Sequence, residues 1–143
     1  MLTTSQAQTE RIGISLAACL RPGDVVLLRG PLGAGKTALA RGIAQGLGAG
    51  PVSSPTFTLL HCHEGRLPLR HFDLYRLDGA EAFWAVGLDD YMGGDAISLI
   101  EWPERAEEAM PARRLEVCLA YGDAEEERHI RLSPVGGFRE VAL

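Results

Sequence analysis

Asparagine does not occur anywhere in this sequence of 143 residues, and lysine occurs once, at Lys36. The common guanine-specific switches read their base with Asn-Lys-x-Asp, so a chain without asparagine cannot carry that reader. Lysine and arginine together total 14, so every other basic residue is an arginine. The sequence also lacks an apolar run of about eighteen residues, which argues against a membrane span. Its N-terminus has no basic start followed by an apolar stretch, so no signal peptide is expected. Cysteine is scarce: Cys19, Cys62 and Cys118 lie far apart without paired spacing. They are expected to be reduced thiols of a cytoplasmic protein. The formal net charge of −5 leaves no overall basic surface to hold nucleic acid unaided.

What remains is the composition of one ordinary core-forming domain spanning 1–143, with 46% hydrophobic and 23% charged residues. Ser5 to Leu20 places Ile12, Leu16 and Leu20 at helical spacing and stops at Pro22-Gly23. Val25-Val26-Leu27-Leu28 reads as a strand buried on both faces, as in a parallel sheet. Thr37 to Leu47 reads as a helix ended by Gly48-Ala49-Gly50-Pro51. Phe57 to His63 and Leu67 to Tyr75 predict two strands joined by a short turn, and Ala80 to Val86 a helix. Ala96 to Ile100 predicts a second apolar strand, followed by a short helix over Glu104 to Met110. Leu115 to Tyr121 and Arg128 to Leu132 read as a terminal strand pair, and the tail after about Pro134 carries no clear pattern. The expected fold class is α/β, a three-layer domain. Its sheet should be mixed and mainly parallel, with antiparallel hairpins at the edges.

The lone lysine sits in Gly30-Pro31-Leu32-Gly33-Ala34-Gly35-Lys36-Thr37, which meets the pattern G-x-x-x-x-G-K-[ST] in full. An apolar strand precedes it and a helix follows, the context in which such a loop cradles phosphates, so the expected three-layer α/β fold is of the P-loop NTPase type. Glycines let the backbone turn its N–H groups inward, and the helix adds its positive end. A compact ammonium fits between phosphates where a guanidinium would not. Lys36 is therefore expected at the β- and γ-phosphates, and the Thr37 hydroxyl on magnesium.

A triphosphate site also needs a carboxylate at a neighbouring strand end. Glu101, directly after Ile97-Ser98-Leu99-Ile100, is the first candidate, because ligands of this fold class gather at carboxyl ends of strands. Asp73 is the second, in His71-Phe72-Asp73-Leu74-Tyr75-Arg76, where alternation puts His71, Asp73 and Tyr75 on one face. Either carboxylate could bind metal or orient water. Thr56, in the polar loop Ser53-Ser54-Pro55-Thr56, is placed to act as a γ-phosphate sensor or as a plain turn residue. His61-Cys62-His63 suggests a metal, but alternation turns Cys62 away from the two histidines and no second ligand pair follows.

With the loop, Ser54-Pro55-Thr56-Phe57, His71-Phe72-Asp73-Leu74-Tyr75-Arg76 and Ile100-Glu101-Trp102-Pro103 in order, the chain resembles the bacterial TsaE (YjeE) family. These are small ATPases of tRNA threonylcarbamoyladenosine biosynthesis. The resemblance runs from about Gln6 to Arg128. It implies ATP held by Gly33, Ala34, Gly35, Lys36, Thr37 and Ala38, and magnesium held by Thr37 and Glu101, with Asp73 in hydrolysis or completing the metal shell. It further implies Thr56 in a switch-like loop, Trp102 beside the nucleotide, and Gln6 and Arg128 in the nucleotide pocket. Preference for ATP over GTP rests mostly on this resemblance. The implied partners are TsaD and TsaB, the transferase that modifies tRNA, so tRNA itself is reached only indirectly. Two positions depart from the family's pattern: Pro31 stands where aspartate is common, and Ala38 where a second hydroxyl is common. Pro31 removes one N–H donor from the loop. The competing reading is a small-molecule P-loop kinase. Such an enzyme needs a mobile arginine-bearing lid, and nothing around Arg113-Arg114 reads as one.

Overall fold

A computed structural model describes residues 1–50 and 59–143 of the chain. Strand β2 (Val25–Arg29) forms where the sequence offers four consecutive β-branched or leucine residues. Its side chains divide between two cores: Val26 and Leu28 pack on one face of the sheet, Val25 and Leu27 on the other. A strand buried on both faces belongs at the centre of a sheet, and β2 sits there. With β1 (Leu2–Thr3), β3 (Leu60–His63), β4 (Leu69–Asp73), β5 (Ile97–Glu101), β6 (Arg114–Tyr121) and β7 (Arg128–Val135), it forms a seven-stranded sheet of order β1-β7-β6-β2-β5-β4-β3. The ladders β6–β2, β2–β5 and β5–β4 are parallel, and those of β1, β7 and β3 with their neighbours are antiparallel.

Helices α1 (Gln6–Ala17) and α2 (Lys36–Gly46) cover one face, over Val26, Leu28, Leu69, Leu99, Val117 and Leu119. Ser5 caps α1, its Oγ accepting from the Gln8 N–H at 3.2 Å. The two helices touch at glycines. A Cβ at Gly42 would lie 2.0 Å from the Glu10 carbonyl oxygen, and one at Gly13 would lie 2.5 Å from that of Leu39. On the other face, α3 (Ala80–Ala85) and two 3-10 helices, Leu88–Tyr91 and Pro103–Ala109, close over Leu27, Phe72, Leu74 and Ile100. The three layers expected from the sequence are present.

Several local expectations are corrected. The reading of Leu115 to Tyr121 as one arm of a terminal hairpin is only half the arrangement. β6 does pair antiparallel with β7, but its other edge pairs in parallel with β2, placing it inside the parallel block. On one face of β6, Glu116 is held by an ion pair with Arg29. The stretch expected to be a short helix over Glu104 to Met110 is 3-10, broken at Ala106. β4 ends at Asp73 instead of Tyr75, because the Asp73 carboxylate accepts the Tyr75 N–H at 3.0 Å and turns the chain. The tail is ordered by one buried ring and one ion pair: Phe138 is buried, and Arg139 Nη2 meets Asp24 Oδ2 at 2.6 Å. Strand β3 is described from Leu60, and the Ser53 to Phe57 stretch, with Thr56, lies outside the described residues. Among the described residues no helix is long and apolar enough to cross a membrane.

Candidate functional site

The loop between β2 and α2 is shaped by glycines where other residues would be strained or would collide. Gly33 and Gly35 have φ of 78° and 103°, and Gly35 is the N-cap of α2. The Leu39 N–H reaches back to the Gly35 carbonyl at 3.0 Å, starting the helix directly beneath the loop. Two side chains of the β6–β7 hairpin clasp the loop from outside. The Tyr121 hydroxyl donates to the Leu32 carbonyl, and Arg128 Nη2 donates to the Gly33 carbonyl at 3.1 Å.

Below the loop lies a cleft of about 540 Å³. Gly33, Gly35, Lys36, Thr37 and Ala38 form its floor. Asp73 and Glu101 stand at the ends of β4 and β5, Tyr75 and Trp102 just beyond them, and Gln6, Thr9 and Arg128 also line it, Thr9 and Arg128 beside Gly35. The residues expected to hold nucleotide or magnesium therefore line one cleft, with two exceptions. Ala34 turns its methyl into the core, and its N–H donates to the Pro31 carbonyl at 3.1 Å. Thr56 lies outside the described residues.

Lys36 is buried. Its Nζ donates to the Gly30 carbonyl at 2.7 Å and stands 3.3 Å from the centroid of the Trp102 ring. Burial pulls its pKa below the ordinary lysine value, against the opposing pull of Glu101, Glu104 and Asp73. Trp102 is the one non-glycine residue with positive φ among the described residues, at 58°. Such a conformation costs about 1–3 kcal/mol and persists only where surroundings impose it. Here Lys36 lies over the ring, and Tyr75 meets it edge-on at 5.0 Å between centroids.

The two carboxylates are brought together by sheet register. Asp73 on β4 is the direct partner of Glu101 on β5, and Leu28 of β2 is the partner of Glu101 on its other side. Both acids are buried, at 7% and 3% exposure. Glu101 Oε2 is 2.7 Å from His71 Nε2. Buried carboxylates set side by side need compensation, and Lys36 interacts favourably with both.

Sequence reasoning missed Thr9, Tyr121, Arg41 and Glu126, which also border the loop or the cleft. None sits in a recognisable motif, and each arrives from a different element. His71 was legible as a face-mate of Asp73, but its contact with Glu101 was not.

Comparison with known proteins gives a consistent result. Residues 3–130 match the family model described as threonylcarbamoyl adenosine biosynthesis protein TsaE. A Bacillus subtilis protein named tRNA threonylcarbamoyladenosine biosynthesis protein TsaE is 39% identical over 141 residues, covering 97% of this chain and 87% of the relative. A Nostoc protein of the same name is 43% identical over 132 residues, covering 88% and 80%. Among solved structures, the crystal structure of YdiB from Bacillus subtilis superposes with a TM-score of 0.80 at 36% identity, covering 95% of this chain and 84% of that one.

Proposed function

The chain belongs to the TsaE family of threonylcarbamoyladenosine biosynthesis, and from that premise we propose that it is a magnesium-dependent ATPase serving the TsaB–TsaD transferase that modifies tRNA. The observation that carries the ATPase reading is the meeting, in one cleft, of a complete phosphate loop and two buried carboxylates in register across β4 and β5. The donors Thr37, Glu101 and Asp73 offer only oxygen, the ligand chemistry that magnesium accepts and softer metals do not favour. Thr37 and Glu101 would hold the ion, with Asp73 completing its shell or holding the attacking water. When bound, magnesium supplies neutralisation of charge on the phosphate oxygens.

The chain's own residues divide the remaining work. Loop N–H groups and the start of α2 receive the phosphates. Lys36 exchanges the Gly30 carbonyl for the β- and γ-phosphate oxygens and draws off charge as the γ-phosphoryl group departs. A buried ammonium is well suited to this, since the low-dielectric cleft strengthens its attraction for phosphate. Trp102 and Tyr75 border the cleft beside Lys36, and Gln6, Thr9 and Arg128, which also line it, would contact the nucleotide. Water would attack the γ-phosphorus in line as the bond to the β-phosphate oxygen breaks, giving ADP and phosphate, with Asp73 orienting that water or completing the metal shell. The hydrolytic cycle would reset the transferase between rounds, and the cytoplasm is the expected location.

The test is ATP hydrolysis by the purified chain, with and without magnesium and with and without TsaB–TsaD. The expected result is a slow, magnesium-dependent rate that the partner complex raises, and that Lys36→Ala lowers by about 100-fold or more. A Lys36→Ala protein with normal hydrolysis would refute the proposal.

A further inference from the structure

His71 occupies the middle of β4, opposite Leu99 of β5, and its ring crosses diagonally to the next residue on the same face of β5, Glu101. The Nε2–Oε2 distance is 2.7 Å, and the side chains are 1% and 4% exposed. The other ring nitrogen, Nδ1, is also buried and has no hydrogen-bond partner among the described residues. A proton on Nδ1 would be a buried donor without an acceptor, which is costly. The neutral ring therefore carries its proton on Nε2 and donates it to the carboxylate.

This bond has a consequence for the cleft. Glu101 is flanked in register by Asp73, another buried acid. A carboxylate in that position, left unanchored, would rotate away from its neighbour. With Oε2 held by His71, one oxygen is committed to the sheet and Oε1 is left for the cleft. We propose that His71 is a positioning residue that fixes the Glu101 carboxylate in the orientation required to hold magnesium. The inference rests on the reading of Glu101 as a magnesium ligand given above. It fits the general behaviour of ligating carboxylates, whose outer hydrogen-bond partners matter for metal affinity about 10–100-fold.

Two amide substitutions separate positioning from packing. In His71→Gln the side-chain nitrogen falls where Nε2 stands and can still donate to Glu101. In His71→Asn it falls where Nδ1 stands, away from Glu101. Both leave a polar amide in the same buried place, so their cost to folding should be similar. The measurements are the magnesium concentration for half-maximal hydrolysis and the calorimetric affinity for ADP, with magnesium and in EDTA. His71→Asn is expected to raise the magnesium requirement about tenfold and to lose the magnesium-dependent part of ADP affinity. Affinity in EDTA should be close to that of the unsubstituted protein. His71→Gln should restore the magnesium requirement to within about threefold of the starting value. A His71→Asn protein with the original requirement would overturn the proposal, as would equal impairment of both variants. Glu101→Gln identifies which claim has failed. If it too leaves the magnesium requirement unchanged, the magnesium reading falls and the proposal with it. If it raises the requirement while His71→Asn does not, only the positioning role is lost.

Discussion

Asp73 has two duties that its atoms separate. Its Oδ1 accepts the Tyr75 N–H at 3.0 Å and ends the strand, while its charge faces the cleft beside Glu101. Asparagine keeps the acceptor and removes the charge. Asp73→Asn should therefore fold normally and bind ATP within a few-fold of the original affinity. Its hydrolysis should fall by about 100-fold, the low end of what a positioned acid–base group contributes. Single-turnover hydrolysis beside calorimetric binding checks both halves. At this scale the sequence is readable where the chemistry is contiguous. Gly30 to Thr37 could be recognised because the loop's conformation is decided by its own glycines and by the helix that follows. Glu101 and Asp73 could be nominated as strand-end acids, but their register depends on where β4 and β5 dock, which no local pattern encodes. The His71–Glu101 bond is invisible for the same reason.

Among the elements, the contact between α1 and α2 is decisive for the site, because α2 carries Lys36 and Thr37 and its far side rests on α1. The helices approach closely enough that backbone meets backbone at Gly42 and Glu10. Gly42→Ala should thus cost stability, although alanine is the better helix former. Overpacking of this kind typically costs about 1–3 kcal/mol, measurable as a lowered urea midpoint. An unchanged or raised midpoint would show that the helices can separate without penalty. The helices themselves were legible from periodicity, yet their glycines gave no sign of the crossing, since a glycine in a helix is spaced like any small residue. The pairing of β6 with β7 was legible, but its parallel ladder with β2 was not, because alternation reports the two faces of a strand and says nothing of what pairs along its second edge.

For the whole molecule, Arg29 joins the end of β2 to the rest of the fold. It contacts Glu116 on β6 at 2.7 Å and Glu107 beyond β5 at 2.6 Å. Burial alone would raise the Glu116 pKa, but its hydrogen bonds and charge pairing with Arg29 and Arg114 hold it below the ordinary glutamate value of about 4.5. A carboxylate depressed in the folded state contributes stability that is complete above its unfolded pKa. That contribution is lost as pH falls through the lower, folded value. Arg29→Met should therefore be less stable than the original protein at neutral pH, with the difference shrinking as pH drops below about 4.5. Thermal unfolding at a series of pH values provides the check, and a difference independent of pH would contradict it.

The central claim is that the phosphate loop performs hydrolysis on behalf of a tRNA-modifying transferase. It is tested most directly by counting threonylcarbamoyladenosine formed per TsaB–TsaD complex in a reconstituted reaction, with this chain or its Lys36→Ala variant as the only difference. The account predicts repeated turnovers with the original chain, and product that stops near one per complex with the variant. Equal multiple-turnover yields with both proteins would contradict it.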